Sequence, residues 1–397
     1  MASFFSLLKR VYYALNPPAS SAAASPIKFG ILGAADIAPR ALISPASNHP
    51  ETVVYAVASR DNKKASAFAK KHGIEKVYSG ATGYQQLLDD PEVDAVYNPL
   101  PNGLHFEWTM KALAAGKHVL LEKPSSNTAE ETRQMFEFAE RKGLVLLEAV
   151  HARFHPAMVR VQEILDSGEL GQIINLSAGL ALSKGVIANE GDIRLDYALG
   201  GGAMMDMGSY PLSAIRFLAR SAPTSVLSAT SSVYPSPSST QQLVDLGTKA
   251  TLSFPNDVTA TLNCDFRQPW WGLFGLIPSM PDIKLTANCE NGEVELYNYL
   301  APTLYHWIRV RVQDPSRKGK VIERVEKVYK FGDGSKGEDW WTTYRYQLEA
   351  FVDQVKGRTP RTWVGKEDSI ENLEWIEKIY EKTGLGSRPK SQYVYSD

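Results

Sequence analysis

Between Ile27 and Ala149, short apolar runs alternate with amphipathic segments that end on glycine, and few folds accommodate that alternation. Phe29 to Leu32, Thr52 to Ala58, Asp94 to Asn98, His118 to Leu121 and Leu144 to Ala149 read as strands. The intervening segments read as helices: one beginning near Ile37, with Pro39 tolerated in its first turn, then Ala65 to Lys71, Leu104 to Ala115 and Ala129 to Lys142. Gly73, Gly116 and Gly143 stop the last three, and Phe106, Met110 and Leu113 share one helical face. Strand–helix units of this length build a parallel, doubly wound sheet, which binds ligands at the carboxyl ends of its strands.

After Val150 the pattern changes. A helix from about Pro156 to Asp166 precedes a strand, Gln172 to Leu182, and a polar loop. The turn Gly200-Gly201-Gly202 then opens a helical stretch running to Arg220. Six strands follow without helices between them: Leu246 to Phe254, Val258 to Phe266, Ile283 to Cys289, Glu293 to Tyr299, Leu304 to Val312 and Val321 to Phe331. Turns such as Pro255-Asn256-Asp257 and Asn291-Gly292 make this second sheet largely antiparallel. Helices from Tyr344 to Lys356 and from about Asp368 to Thr383 close the chain. The expected class is α/β plus α+β: a doubly wound domain over 27–150, then a domain with a large open, mostly antiparallel sheet over 151–397.

Residues 1–26 stand apart as an amphipathic arm and a Pro/Ala/Ser tail, with no acid before Asp36. An arm packed on its own or a partner subunit is the leading reading; membrane association, organelle targeting and disorder are the alternatives. A chain of 397 residues can bury two cores, and a net charge of −1 gives no global attraction to nucleic acid. Two cysteines, Cys264 and Cys289, are too few for a disulfide framework and fit a reducing, cytoplasmic setting. No apolar run approaches the ~18 residues that span a bilayer.

Chemistry concentrates at Leu120-Leu121-Glu122-Lys123-Pro124, where a strand ends just before Thr128-x-x-Glu131, a capping-box pattern. A sharp turn there calls for a cis Lys123–Pro124 bond that aims the ammonium into the cleft. Gly33-Ala34-Ala35-Asp36-Ile37-Ala38 lies between the first strand and first helix, where a dinucleotide fingerprint belongs. Gly33 suits the tight turn and Ala38 the close helix packing, while the methyl group of Ala35 narrows the approach of a pyrophosphate. At the end of the second strand, Ser59 and Arg60 replace the acid that would bond a ribose 2′-hydroxyl. A hydroxyl beside a guanidinium suits a 2′-phosphate, hence NADP; the plainer reading is a solvated helix cap.

Asp206 and Tyr210 stand four apart, and Pro211 requires the helix to kink or begin nearby. On their own they read as a buried hydrogen-bonded pair. His151, Arg153 and His155 could face the cleft, but their spacing matches no metal-ligand set, so no metal is expected. Trp270 and Trp271 could stack on a sugar or, more simply, line an interface.

Taken together, these motifs resemble the Gfo/Idh/MocA oxidoreductases from about Ile27 to the end. The resemblance rests on Gly33-x-Ala35-x-x-Ala38, Ser59-Arg60, Pro101-Asn102-x-x-His105, Glu122-Lys123-Pro124, Glu148-Ala149 with Arg153-Phe154-x-Pro156, and the run Gly200 to Tyr210. It is nearest the dimeric dihydrodiol dehydrogenases and the NADP-dependent D-xylose 1-dehydrogenases. It implies a Rossmann-type cofactor domain and an open sheet that covers the cleft on one face and often joins two copies through the other.

The same resemblance makes Lys123, Asp206 and Tyr210 the catalytic set, with tyrosine where many members have histidine. Cofactor contacts would come from Gly33, Ala35, Asp36 and Ile37, then Ser59 and Arg60, then Leu100, Asn102 and His105, and finally Glu122, Lys123 and Arg153. The implied activity is NADP-dependent oxidation of a hydroxyl, either C1 of a sugar such as D-xylose or one of a trans-dihydrodiol. A glycoside hydrolase that uses the dinucleotide without net redox change, or a non-catalytic regulator, is the alternative. The implied partners are a small sugar or diol and a second copy of the chain. A tyrosine has an ordinary pKa near 10, and a neighbouring ammonium is expected to lower it toward use as a base.

Overall fold

The computed structural model describes residues 2–21, 23–188, 191–235, 241–271, 276–314, 316–317, 319–395. Its first sheet contains β1 (Ile27–Leu32), β2 (Thr52–Ser59), β3 (Lys76–Ser79), β4 (Ala95–Asn98), β5 (His118–Leu121) and β6 (Leu146–Glu148). All pairings are parallel, in the order β3-β2-β1-β4-β5-β6. The order reverses beside β1, so the carboxyl ends of β1 and β4 flank a crevice. Phe29, Ile31, Val57, Tyr97 and Leu120 are buried, as a sheet covered on both faces requires.

Two of the expected helix ends have the anticipated chemistry. Glu131 N–H donates to Thr128 Oγ1 at 3.3 Å, while Glu131 Oε2 accepts from Thr128 N–H at 3.2 Å. This reciprocal cap contributes ~1 kcal/mol to starting the helix Ala129–Lys142. Gly143 ends the same helix at φ 65°.

The second sheet contains β7 (Ile173–Ser183), β8 (Ser225–Val233), β9 (Asp245–Ser253), β10 (Thr259–Gln268), β11 (Lys284–Cys289), β12 (Gly292–Tyr297), β13 (Trp307–Gln313) and β14 (Val321–Glu326). Their order is β14-β13-β12-β11-β7-β10-β9-β8, antiparallel throughout except for the parallel pair β7–β10. Leu176, Leu180, Leu262, Phe266, Leu285 and Leu296 point to the buried face. The helices Pro156–Asp166 and Ser209–Ala219 cover that face.

Both chain ends cross over the body. The arm forms the helix Ala2–Leu15 and docks through Arg10, which is buried. The Arg10 guanidinium donates to Thr303 O (3.1 Å) and Tyr329 Oη (2.9 Å) and lies 3.7 Å from the Tyr329 ring centre. At the other end, residues 385–395 leave the helix Lys366–Thr383 and run onto the nucleotide domain. Asn127 donates to Pro389 O, Ser391 N–H donates to Glu131, and Tyr393 and Tyr395 pack against Phe106 and Phe138.

Several boundaries differ from the sequence reading. The strand β3 and the helix Gly83–Asp89 lie in a stretch to which the sequence reading assigned no element, and so does β8. The last strand stops at Glu326 rather than Phe331, because Val328 N–H donates to the buried His306 ring instead of a ladder partner.

Candidate active site

At the end of β5 the chain turns through a cis Lys123–Pro124 peptide, as expected. Beneath it, Tyr97 on β4 donates to Glu122 Oε1 at 2.6 Å. Burial raises the Glu122 carboxyl above its usual range, against the pull of Tyr97 and Lys123. His105 braces the turn from the other side, its Nδ1 2.8 Å from Pro124 O and its Nε2 2.6 Å from Leu100 O. Burial pushes the His105 pKa down to about 4, although both carbonyls favour its protonated form.

The Lys123 ammonium leaves this turn toward the second domain. It donates to Asp206 O at 2.6 Å and to Asp206 Oδ1 at 2.8 Å, and lies 5.0 Å from the Tyr210 ring centre. Asp206 sits in a π-helical turn, Met204–Gly208, which hands over to the helix Ser209–Ala219. Pro211 therefore falls in the first turn of a new helix, where its missing N–H breaks no bond. Burial acts to raise the Asp206 pKa, but Lys123 and Arg194 outweigh it and hold the carboxylate below its usual value.

The glycine turn gives Asp206 its place. Gly202 has φ 139°, and a Cβ there would meet Asp245 Oδ1 at 2.2 Å. Asp245 accepts from Met204 N–H at 2.8 Å and pairs with Arg388 at 3.0 Å, with both side chains fully buried. Asn102 donates to Gly200 O at 3.0 Å, tying the nucleotide domain to the same turn.

A cavity of about 320 Å³ opens where these groups meet. Among the expected site residues, Asp36, Ile37, Leu100, Asn102, His105, Glu122, Lys123, Asp206 and Tyr210 line it. Gly33 turns just outside it at φ 92°, with its N–H on Ala58 O at 2.7 Å, and Ala35 follows in the same turn. Ser59 and the exposed Arg60 stand at the end of β2, with Arg60 beside the Tyr84 hydroxyl.

Arg153 is elsewhere. It is buried behind the cleft, bonded to Ser213 Oγ (3.1 Å) and Asp368 Oδ2 (2.9 Å), because the short helix His151–Phe154 turns it toward the helix Lys366–Thr383. His155 is likewise buried, and its Nδ1 caps the next helix. Trp270 and Trp271 stand exposed on the surface, with Trp270 Nε1–H on Lys184 O, and do not line the cavity. No cluster of three metal-binding side chains exists among the described residues.

Tyr210 departs from expectation in one respect. Burial, reinforced by Tyr344, Glu122 and Asp206, pushes its phenol well above the usual value, whereas the ammonium was expected to lower it. Lys123 faces the ring and spends its hydrogen bonds on Asp206, so its field does not outweigh desolvation. His151 packs edge-on to Tyr210 at 5.3 Å and lies tilted against Tyr344 at 4.0 Å, and burial holds its pKa down to about 3.

Three lining residues with polar side chains went unforeseen: Arg40, Arg194 and Tyr344. Arg194 Nε donates to Asp206 Oδ2 at 3.0 Å. Its one sequence signal is a lone arginine between Asp192 and Asp196, just before the glycine turn. Tyr344 reads as an ordinary core residue at the start of a helix.

Sequence comparison agrees with this geometry. Residues 27–150 match the model of an oxidoreductase family with an NAD-binding Rossmann fold, and 158–295 match the GFO/IDH/MocA C-terminal domain. The chain belongs to the Gfo/Idh/MocA oxidoreductase family. One relative of this oxidoreductase is the D-xylose 1-dehydrogenase (NADP(+)) 2 of Haloferax volcanii, 33% identical over 90% of this chain and 98% of that one. A trans-1,2-dihydrobenzene-1,2-diol dehydrogenase of Sus scrofa is 32% identical over 55% of this chain and 61% of that one. Among solved structures, a 3-ketoreductase from Actinomadura kijaniata in complex with NADP and TDP-benzene superposes with a TM-score of 0.72. It is 28% identical, with 89% of this chain and 96% of that one covered.

Proposed function

We propose that this oxidoreductase is an NADP-dependent dehydrogenase that oxidises a hydroxyl of a sugar or a trans-diol. The observation that carries the reading is Lys123, fixed on Asp206 and facing Tyr210, at the strand ends beside the Gly33 turn. NADP supplies hydride chemistry when bound. Gly33 and the following helix N-terminus accommodate a pyrophosphate, and the Ser59–Arg60 pair suits a 2′-phosphate. Lys123 donates to the substrate oxygen, Asp206 orients the ammonium, and Tyr210 exchanges the hydroxyl proton at its phenolic oxygen. The dehydrogenases similar to this chain and the retained lysine favour this reading over a hydrolase or a regulator.

The test follows NADPH absorbance in a panel of aldoses, cyclic diols and glycosides. Net NADPH formation with an alcohol supports the reading, while glycoside cleavage without it assigns a hydrolase. The outer face of the second sheet, lined by Ser177, Thr230, Thr251 and Thr261, is the proposed contact between two copies. A monomer in sedimentation equilibrium would remove that part.

A further inference from the structure

Apart from Arg194, Asp206 and the phenols of Tyr210 and Tyr344, the second-domain side chains that line the cleft are apolar. Leu180, Leu182, Ile187, Ile193, Met207 and Leu300 line it. Most polar side chains at the site are already engaged with the protein. Asp206 holds Lys123 and Arg194, Glu122 accepts from Tyr97, Asn102 donates to Gly200 O, and both His105 nitrogens face carbonyls. Asp36 and Arg40 follow the Gly33 turn, on the dinucleotide side.

Arg194 differs from the other engaged groups. Its Nε is on Asp206 and its Nη1 is 3.1 Å from Asp192 Oδ1, while Nη2 has no hydrogen-bond partner among the described residues. The side chain is 39% exposed and lines the cavity. Lys123 takes one oxygen of the Asp206 carboxylate and Arg194 the other. The two donors therefore stand side by side on one carboxylate, and both residues line the cavity. A guanidinium also keeps its charge at every working pH and presents its donors in a fixed plane.

We propose that Arg194 is a specificity-determining residue that holds the second oxygen of a vicinal diol, so that the preferred substrate is a 1,2-diol on an otherwise apolar ring. The inference rests on the dehydrogenase reading above. A fully hydroxylated aldose would press further hydroxyls against the aliphatic wall, where each loses water without gaining a partner and weakens binding on the order of tenfold. The ring carbons of a cyclic diol meet that wall without this cost.

The experiment measures kcat and KM for trans-cyclohexane-1,2-diol, cyclohexanol and D-xylose with NADP. It uses the full chain and the variants Arg194→Ala and Arg194→Lys. Removing Arg194 also loosens Asp206 and slows every alcohol, but the diol-to-cyclohexanol ratio cancels that shared loss. The wild-type ratio of kcat/KM is expected to be on the order of tenfold or more. It should fall toward one in Arg194→Ala, mainly through KM, recover in part in Arg194→Lys, and leave NADP affinity unchanged. D-Xylose should trail the diol.

A ratio untouched by Arg194→Ala, or a preference for D-xylose, overturns the proposal. If no alcohol is oxidised, the dehydrogenase reading fails. Calorimetric binding to the NADP complex then decides the inference separately. Tighter binding of the diol than of the other two, lost in Arg194→Ala, upholds it; equal affinities overturn it.

Discussion

Lys123 Nζ contacts both the backbone carbonyl and the carboxylate of Asp206, at 2.6 and 2.8 Å. One ammonium thereby joins the end of a strand in the nucleotide domain to a helical turn of the other domain. Replacing it changes the reaction without touching the turn that faces the dinucleotide. Lys123→Ala is expected to lower kcat by ~10²–10⁴ while leaving NADP affinity within a few-fold. Near-normal turnover would remove Lys123 from the chemistry.

Tyr210 gives a pH prediction. Its buried phenol stays protonated well above the usual value, so the free enzyme holds an acid there at neutral pH. For oxidation, kcat/KM should keep rising past pH 9 without a plateau, because that parameter reports the free enzyme. Tyr210→Phe should lose most activity together with that slope. A plateau near pH 7 in the wild type would show that the Lys123 field dominates.

Cofactor choice depends on Arg60, exposed at the end of β2. Losing a charge-assisted contact to a 2′-phosphate costs ~1.5–3 kcal/mol. Arg60→Ala should therefore weaken NADP binding by roughly one to two powers of ten and barely change NAD binding. Equal wild-type affinities for the two cofactors would contradict the assignment.

Burial lowers the pKa values of His105 and His306 to about 4 and that of His151 to about 3. Once unfolded, these side chains take up protons below pH ~6.5, so falling pH favours the unfolded chain. Each contributes a loss of ~1.4 kcal/mol per pH unit until its folded value is reached. Glu148, raised by burial to about 7, acts in the opposite sense between its unfolded value and pH 7. Melting temperature should fall as pH drops from 6.5 to 4.5, and His306→Gln should reduce the slope. A flat profile would contradict this.

The arm supplies a stability prediction. Arg10 is buried with hydrogen bonds to Thr303 and Tyr329 and an aromatic face, so Arg10→Ala should cost ~2 kcal/mol in urea melts. Deleting residues 1–26 should lower stability comparably while kcat stays unchanged. Unaltered melts would leave the arm without a structural role.

The parallel sheet was legible because its buried strands are continuous apolar runs and three of its helices stop at Gly73, Gly116 and Gly143. β8 was not, since Ser225-Val226-Leu227-Ser228-Ala229-Thr230-Ser231-Ser232-Val233 is an edge strand of small residues without an alternating apolar face. Its place is set by pairing with β9. At the site, Lys123, Asp206 and Tyr210 came from motif order. Arg194 escaped because its role exists only once a polar loop folds back onto Asp206. The expectation for Arg153 erred in the opposite way: proximity to a strand end in sequence did not carry the side chain into the cleft, since Asp368, 215 residues later, claims it.

The crossing of the two chain ends bears on modularity. The stretch 27–150 looks like a detachable cofactor module, yet residues 385–395 form part of its outer surface through Pro389, Ser391, Tyr393 and Tyr395. Excised at that boundary, the module would bare Phe106 and Phe138 and leave Asn127 without its acceptor. A soluble fragment therefore needs the terminal eleven described residues grafted back, and a chimera that swaps second domains must carry the recipient's own C-terminal segment.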